Sequence, residues 1–207
     1  MCIRDRSYVV KKFKVPNIVN RFAYRYLRPS KAKRSYLYSL KIGIELSPEP
    51  IAYIENSRMT LLSTSYYISR YFDYDHTIHE VLIDKTLKNR TKILSEFADF
   101  SFKLHDSGIL HRDYSHGNIL LKESNKTTPH CEFKIIDVNR MEFKNLNIKS
   151  RLENFARINA DDDDMKIIIT QYAKHMNMDV EKLLSEAKFY RDDFYQKRAI
   201  KHKLRGK

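Results

Sequence analysis

Cysteine is nearly absent from the chain, with Cys2 and Cys131 its only two. Two thiols cannot form a disulfide framework, so a reducing compartment such as the cytosol is the expected setting. Glycine is almost as scarce, at Gly43, Gly108, Gly117 and Gly206. No glycine-rich phosphate loop can be built from four residues so spaced. Long apolar runs are missing too: nothing approaches the roughly 20 residues that span a bilayer, and the N-terminus has no signal-peptide core. A soluble or peripheral protein is expected.

What is present points to a folded, basic protein. The 207 residues, 42% of them apolar, suffice for one domain of two lobes and exclude a tail or linker. The formal charge of +13, from 39 Lys and Arg against 26 Asp and Glu, predicts attraction to phosphorylated ligands, acidic membrane surfaces or nucleic acid. Charge alone does not choose among them. The opening MCIRDR resembles a translated sequencing-adapter remnant, so residues 1–6 are expected to be a non-native scar and are set aside from the fold.

Along the chain, SYVVKKFKV (7–15) is β-branched and aromatic with a basic interior, and Pro16 closes it, which predicts a strand. Basic, aromatic stretches on both sides of Pro29 predict helices, ended by Gly43 and the Ser47, Pro48, Pro50 cluster. PIAYIE (50–55) and LLSTSYYISRYF (61–72) predict two further strands joined by a turn around Asn56 and Ser57. Between Thr91 and Asp106, Ile93, Phe97, Phe100 and Leu104 fall at spacings of four, three and four, the stripe of a buried helix, with Gly108 at its C-terminal end. NILL (118–121) and EFKIIDV (132–138) predict a strand pair across the polar KESNKTTPH, and helices follow from about Lys149 to the basic end.

Between that long helix and the strand pair lies LHRDYSHGNILL (110–121). HRDYSHGN has the protein-kinase spacing of His, Arg and Asp, with Asn five residues after the Asp, and IIDVNR stands where kinases carry Asp-Phe-Gly. Phosphoryl transfer from ATP asks for little covalent work by the protein. The site must orient an acceptor hydroxyl and neutralise phosphate charge through magnesium. On this pattern Asp113 accepts or aligns the hydroxyl proton, while the Asn118 amide oxygen and the Asp137 carboxylate, both hard oxygen donors, hold Mg²⁺. His111 and Arg112 structure the loop, and the four residues between Asp113 and Asn118 turn it back so that both side chains face one cleft. A lone His-x-Asp is more often a surface turn; the ordered combination of helix, loop, strand pair and Asp is what makes it specific.

At these residues the chain resembles the bacterial lipopolysaccharide kinase family, the Kdo and heptose kinases of the inner core, within the protein-kinase-like superfamily. The resemblance runs from about residue 8 to 158 through YVVKKFKVPN, KAKRSY, SPEPIAYIE, SYYIS, HRDYSHGNILL, FKIIDVNRM and NFARI. It implies an α+β, protein-kinase-like two-lobed fold, with a small β-rich N-lobe over residues 7–72 and a mainly helical C-lobe over 73–207 ending in a basic tail. It implies Lys11 as the strand lysine on the α- and β-phosphates of ATP, with Lys12 and Lys14 as competitors, and Tyr66 to Tyr71 as the strand leading to the adenine hinge or as packing aromatics. It implies a kinase that uses ATP and Mg²⁺ to phosphorylate a hydroxyl of a lipopolysaccharide inner-core sugar, in the cytoplasm or peripheral at the inner face of the cytoplasmic membrane. No specific nucleic-acid partner is implied.

Two departures bear on activity. KRSYLYSL places Tyr36 and Leu37 where a kinase helix carries the glutamate that pairs with the strand lysine, and only ten residues precede Lys11, too few for two strands and a phosphate loop. The expectation is an N-terminally incomplete N-lobe and a fragment of low or no activity. Other readings are a protein or small-molecule kinase, or an inactive pseudokinase serving as a basic binding module.

Lesser features have plainer expectations. NADDDDMKIII predicts a solvated helix N-terminus, since adjacent carboxylates diverge and acids favour a helix start. HTIH (76–79) predicts a surface helix rather than a zinc site, as no second ligand pair accompanies it. His116, inside the candidate loop, is expected to stabilise it through a hydrogen bond, the other reading being contact with substrate or phosphate. The basic run Lys197, Arg198, Lys201, Lys203, Arg205, Lys207 reads as a solvated end or an electrostatic dock for an anionic leaflet.

Overall fold

A computed structural model describes residues 2–3, 6–124 and 130–204. Three of the residues expected to be a scar (Met1, Arg4, Asp5), the centre of the polar link (125–129) and Arg205 and Lys207 of the basic run lie outside the described residues. The chain divides into two compact units. The first holds residues 1–73 and 134–140, the second 74–133 and 141–207.

The first unit opens with β1 (Cys2–Ile3) and β2 (Arg6–Phe13). Helices α1 (Ile18–Tyr26) and α2 (Lys31–Ile42) lie on either side of Pro29, as its missing N–H and fixed φ require. Each starts on a polar cap: Asn17 accepts from the N–H of Asn20, and Ser30 from that of Lys33. Strands β3 (Pro50–Arg58) and β4 (Leu61–Arg70) complete an antiparallel sheet of order β1-β2-β4-β3. The turn between β3 and β4 is at Met59 and Thr60, not at Asn56 and Ser57. Register shifts after Pro50 and after Glu55 carry β3 three residues further, and Met59 and Thr60 both adopt positive φ, the mirror-image turn that matches strand twist. Sequence preference pointed to Asn-Ser; pairing of Ser57 with Leu62 and Arg58 with Leu61 overrode it. α2 packs on the sheet with small residues, Ala32, Ser35 and Ser39 all buried, and the Ser39 hydroxyl meets the Tyr67 hydroxyl at 2.8 Å.

The second unit begins with β5 (His76–Thr77) and α3 (Ile78–Ile83), whose start is a capping box between Thr77 and Glu80. HTIH is therefore part strand and part helix, with His76 opposite Leu121. Helix α4 (Arg90–Asp106) carries the predicted stripe, with Ile93, Phe97, Phe100 and Leu104 all buried. Then come β6 (Ile109–His111), β7 (Ile119–Glu123), β8 (Cys131–Ile135), β9 (Met141–Phe143) and helices α5 (Ile148–Phe155), α6 (Asp162–Met176) and α7 (Val180–Leu204). The sheets here are small, β5-β7-β8 and β6-β9. Aromatic rings supply much of the core: Phe97, Tyr114, Phe155 and Tyr172 are fully buried, with Phe155 edge-on to Tyr172 at 5.1 Å.

The acidic start of α6 departs from its expectation. Asp161 caps the helix and Asp162 meets Lys188 and Arg191, but Asp164 is 1% exposed and bonded to Arg90 at 2.6 Å and Lys85 at 2.7 Å. A turn of helix carries it inward, where two cations offset the cost of burying a carboxylate.

Gly108 closes α4 at φ +71, and a Cβ there would lie 2.9 Å from the Lys144 carbonyl oxygen, which follows β9. Both the left-handed backbone and the close approach demand glycine. Gly108→Ala should cost about 2 kcal/mol and lower the melting temperature by roughly 4–8 °C. Thermal denaturation followed by circular dichroism checks this.

Candidate functional site

The segment from His111 to Asn118 is built on a buried hydrogen-bonded chain that crosses three helices. The Tyr172 hydroxyl of α6 meets His105 Nδ1 of α4 at 2.9 Å, and His105 Nε2 meets the side-chain oxygen of Asn154 of α5 at 3.0 Å. Asn154 Nδ2 donates to the His111 carbonyl at 2.9 Å. Because the Asn154 oxygen can only accept, His105 carries its proton on Nε2 and accepts from Tyr172 on Nδ1. Burial pushes the His105 pKa down to about 4 against the pull of Asn154, so the ring is neutral. Burial pushes the Tyr172 hydroxyl up to about 12 and raises that of Tyr114, which bonds the Ser101 hydroxyl at 2.7 Å.

That chain holds the loop by its backbone. His111 is fully buried, and its Nδ1 accepts the N–H of Asp113 at 3.0 Å. Asn118, in a short 3₁₀ turn, donates through Nδ2 to the Asp113 carbonyl at 2.9 Å, which fixes which end of the amide is oxygen. The backbone of Asp113 is thus held at both its N–H and its carbonyl, and the residue is half-buried. Arg112 is exposed and pairs with Glu142, tying β6 to β9; bonds from Lys144 and Arg112 hold the Glu142 carboxyl below its ordinary range. His116 does not make the expected stabilising hydrogen bond. Its Nδ1 is buried with no hydrogen-bond partner among the described residues, and its ring stacks on His79 at 4.2 Å, with burial first and His79 second lowering its pKa.

The first unit holds the other candidates. Lys11, on β2, reaches Asp137 Oδ1 at 2.8 Å. Its neighbour Lys12 lies over the Tyr66 ring, as the alternation of a strand demands, and so does not compete for that carboxylate. Asp137 adopts φ +59, a left-handed conformation that Asp tolerates, and Asn139 donates to the same Oδ1. The segment around it is anchored to the end of α2: Ile135 N–H donates to the Leu46 carbonyl at 2.8 Å, and the buried Lys134 ammonium donates to the Ile44 carbonyl at 2.5 Å. Lys11 is therefore oriented, and by Asp137 rather than by an acid on α2, which has none. Tyr67 packs against α2 through Ser39, while Tyr71 is exposed.

The structure groups Lys11 with Asp137 in one unit and His111, Arg112, Asp113 and Asn118 in the other. Sequence reasoning missed His105, Asn154 and Tyr172. Asn154 sits in NFARI, and a polar residue between the apolar Leu152 and Phe155 was the available hint. Among the described residues, no cluster of three or more His, Cys, Asp or Glu side chains stands ready to hold a metal. Asn118 and Asp137 each carry a hard side-chain oxygen of the kind Mg²⁺ takes, one in each unit.

Residues 48–184 match the sequence model of the lipopolysaccharide kinase (Kdo/WaaP) family. No curated protein sequence matches the chain. Among solved structures, WaaP in complex with acyl carrier protein superposes with a TM-score of 0.60 at 15% identity, covering 96% of this chain and 81% of that one. The Rio2 kinase–ADP/Mg²⁺–phosphoaspartate complex from Chaetomium thermophilum gives 0.47 at 16% identity, covering 86% of this chain and 54% of that one. The yeast RNA Pol II CTD kinase CTDK-1 complex gives 0.46 at 17% identity, over 88% of this chain and 60% of that one.

The buried histidine makes stability pH-dependent. The folded ring resists a proton down to about pH 4, whereas the unfolded ring takes one near 6.5. Stability is therefore full above pH 6.5 and falls as pH drops from 6.5 to 4, by about 3 kcal/mol. His105→Gln should lose stability at pH 7.5 but show a flatter dependence across that window, which urea midpoints at pH 7.5 and 5 will reveal.

Proposed function

The chain belongs to the lipopolysaccharide kinase (Kdo/WaaP) family, and on that premise we propose that it moves the γ-phosphate of ATP onto a hydroxyl of an inner-core sugar, Kdo or heptose. Its fold is protein-kinase-like and α+β, and it is a kinase acting on the lipopolysaccharide core. The observation that carries the residue assignment is the grip on the Asp113 backbone by His111 and Asn118, at a residue that is itself half-buried.

In this reading Asp113 aligns the acceptor hydroxyl and takes its proton as the bond to phosphorus forms. Lys11 contacts the ATP phosphates from β2, its ammonium prepositioned by Asp137. Asn118 and Asp137 each offer one oxygen to Mg²⁺. Mg²⁺, when bound, neutralises charge on the phosphates. His111 and Arg112 act on the loop, not on the reacting atoms. No helix among the described residues is long and apolar enough to cross a membrane; what supports a place at the inner face of the cytoplasmic membrane, by surface association, is membership of a family that acts on lipopolysaccharide.

Asp113→Asn preserves both backbone hydrogen bonds of the loop, so the variant should fold as the parent does. Phosphorylation of purified core oligosaccharide by ATP and Mg²⁺ should fall by about 10³-fold or more, with KM for ATP nearly unchanged. Lys11→Met should instead raise KM for ATP as well as lower turnover. Steady-state kinetics separate these cases, and activity unaffected by Asp113→Asn would refute the assignment.

A further inference from the structure

Helix α1 presents the wrong face to water. At 100° per residue, Ile18, Val19, Phe22 and Tyr26 fall in a single arc of about 100°, the stripe that a surface helix ordinarily turns to the core. Here that stripe is exposed: Ile18 by 56%, Val19 by 72%, Phe22 by 51% and Tyr26 by 72%. The less exposed side is mixed, with Asn20, Arg21, Ala23 and Tyr24, and Arg21 Nε donates to the Leu62 carbonyl of β4 at 2.8 Å. The helix start is a closed polar cap between Asn17 and Asn20, so the apolar arc is what remains outward. Leu27, immediately beyond the helix, extends it at 83% exposure.

The charge around this helix is equally one-sided. Residues 6–44 hold eleven of the chain's 39 Lys and Arg and none of its 26 Asp and Glu, leaving 28 against 26 elsewhere. Almost all of the +13 net charge thus belongs to β2, α1, α2 and their connections. An apolar helix face within a basic stretch of chain that carries no acid of its own is the pattern of helices that lie in a membrane interface, apolar side toward the acyl chains and cations among anionic headgroups. A protein partner would have to match an apolar groove to a broad acidic rim. An anionic bilayer meets both demands without any matched shape.

We propose that α1 is a membrane-docking element, lying in the plane of an anionic phospholipid surface with Ile18, Val19, Phe22 and Tyr26 in the headgroup–acyl boundary. The basic end of α7 is not the principal dock, although it offers cations: Lys197 is already paired with Asp193 at 2.7 Å, and among the described residues the exposed apolar side chains beside those cations are only the pair Ile200 and Leu204, against four in one arc on α1. This docking concerns lipid binding alone and does not depend on which sugar is phosphorylated.

The chain has no tryptophan, so Tyr26→Trp introduces a single reporter into the full chain. With vesicles of phosphatidylglycerol and phosphatidylcholine its emission should shift to the blue and be quenched by brominated acyl chains. Vesicles of phosphatidylcholine alone should bind at least about tenfold more weakly, and salt should weaken the anionic binding. Val19→Glu combined with Phe22→Glu should reduce partitioning by about tenfold or more, with unchanged circular dichroism and melting temperature, because both residues are exposed. Lys201→Gln with Lys203→Gln should bind nearly as the parent does. The proposal is overturned if the reporter is not quenched, if the double glutamate variant binds as well as the parent, or if only the α7 variant loses binding. It is likewise overturned if single-stranded or duplex nucleic acid, or an acidic protein, competes the chain off anionic vesicles at equal salt. Activity on soluble core oligosaccharide reports separately on the phosphotransfer reading, so failure of one leaves the other standing.

Discussion

The buried hydrogen-bonded chain from Tyr172 through His105 and Asn154 to the His111 carbonyl is the constraint on which the second unit depends. Each residue in it is buried and has its polar side-chain atoms bonded, so a shift of α4, α5 or α6 around β6 would leave a buried polar group unpaired. That arrangement delivers His111 to a fully buried position, and a buried imidazole accepting the Asp113 N–H leaves the loop little freedom to move. A surface-exposed loop carrying the same eight residues would have no such determinacy. Aromatic packing around the chain, with Phe155 edge-on to His105 at 5.5 Å, excludes the water that would otherwise compete for these bonds.

A second constraint acts in the first unit through a carboxylate with a positive φ. Asp137 accepts from both Lys11 and Asn139 on one oxygen, and the backbone on its N-terminal side is pinned to the end of α2 by Ile135 and Lys134. The absence of an acid on α2 looked like a gap when only helix spacing was considered. In three dimensions the lysine has its anion, supplied from a segment about 126 residues later in the sequence. An exposed pair of this kind contributes little stability and much orientation, which is what the role proposed for Lys11 asks of it.

Regular elements were largely legible because their signals are local. The four-three-four stripe of α4, the proline between α1 and α2 and the glycine after α4 each encode their element through sterics or burial within a few residues. The turn of β3 and β4 was misplaced because cross-strand register, a non-local property, put Met59 and Thr60 into conformations they do not favour alone. The candidate loop was legible as a motif, but its support was not: His105, Asn154 and Tyr172 are separated by 49 and 18 residues and meet only through packing. Asp164 and His116 misled for the same reason, since burial and ring stacking depend on neighbours brought from elsewhere in the chain.

Membership of the lipopolysaccharide kinase family supports the proposed transfer of phosphate to a core sugar, and the bonded Asp113 backbone is where that proposal sets the acceptor hydroxyl. The most direct test of that claim is the product itself. Core oligosaccharide incubated with the protein, ATP and Mg²⁺ should show, by phosphorus NMR, a new phosphomonoester coupled to a ring proton of Kdo or heptose. Release of inorganic phosphate alone, or phosphate appearing on the protein and never on the sugar, would contradict it.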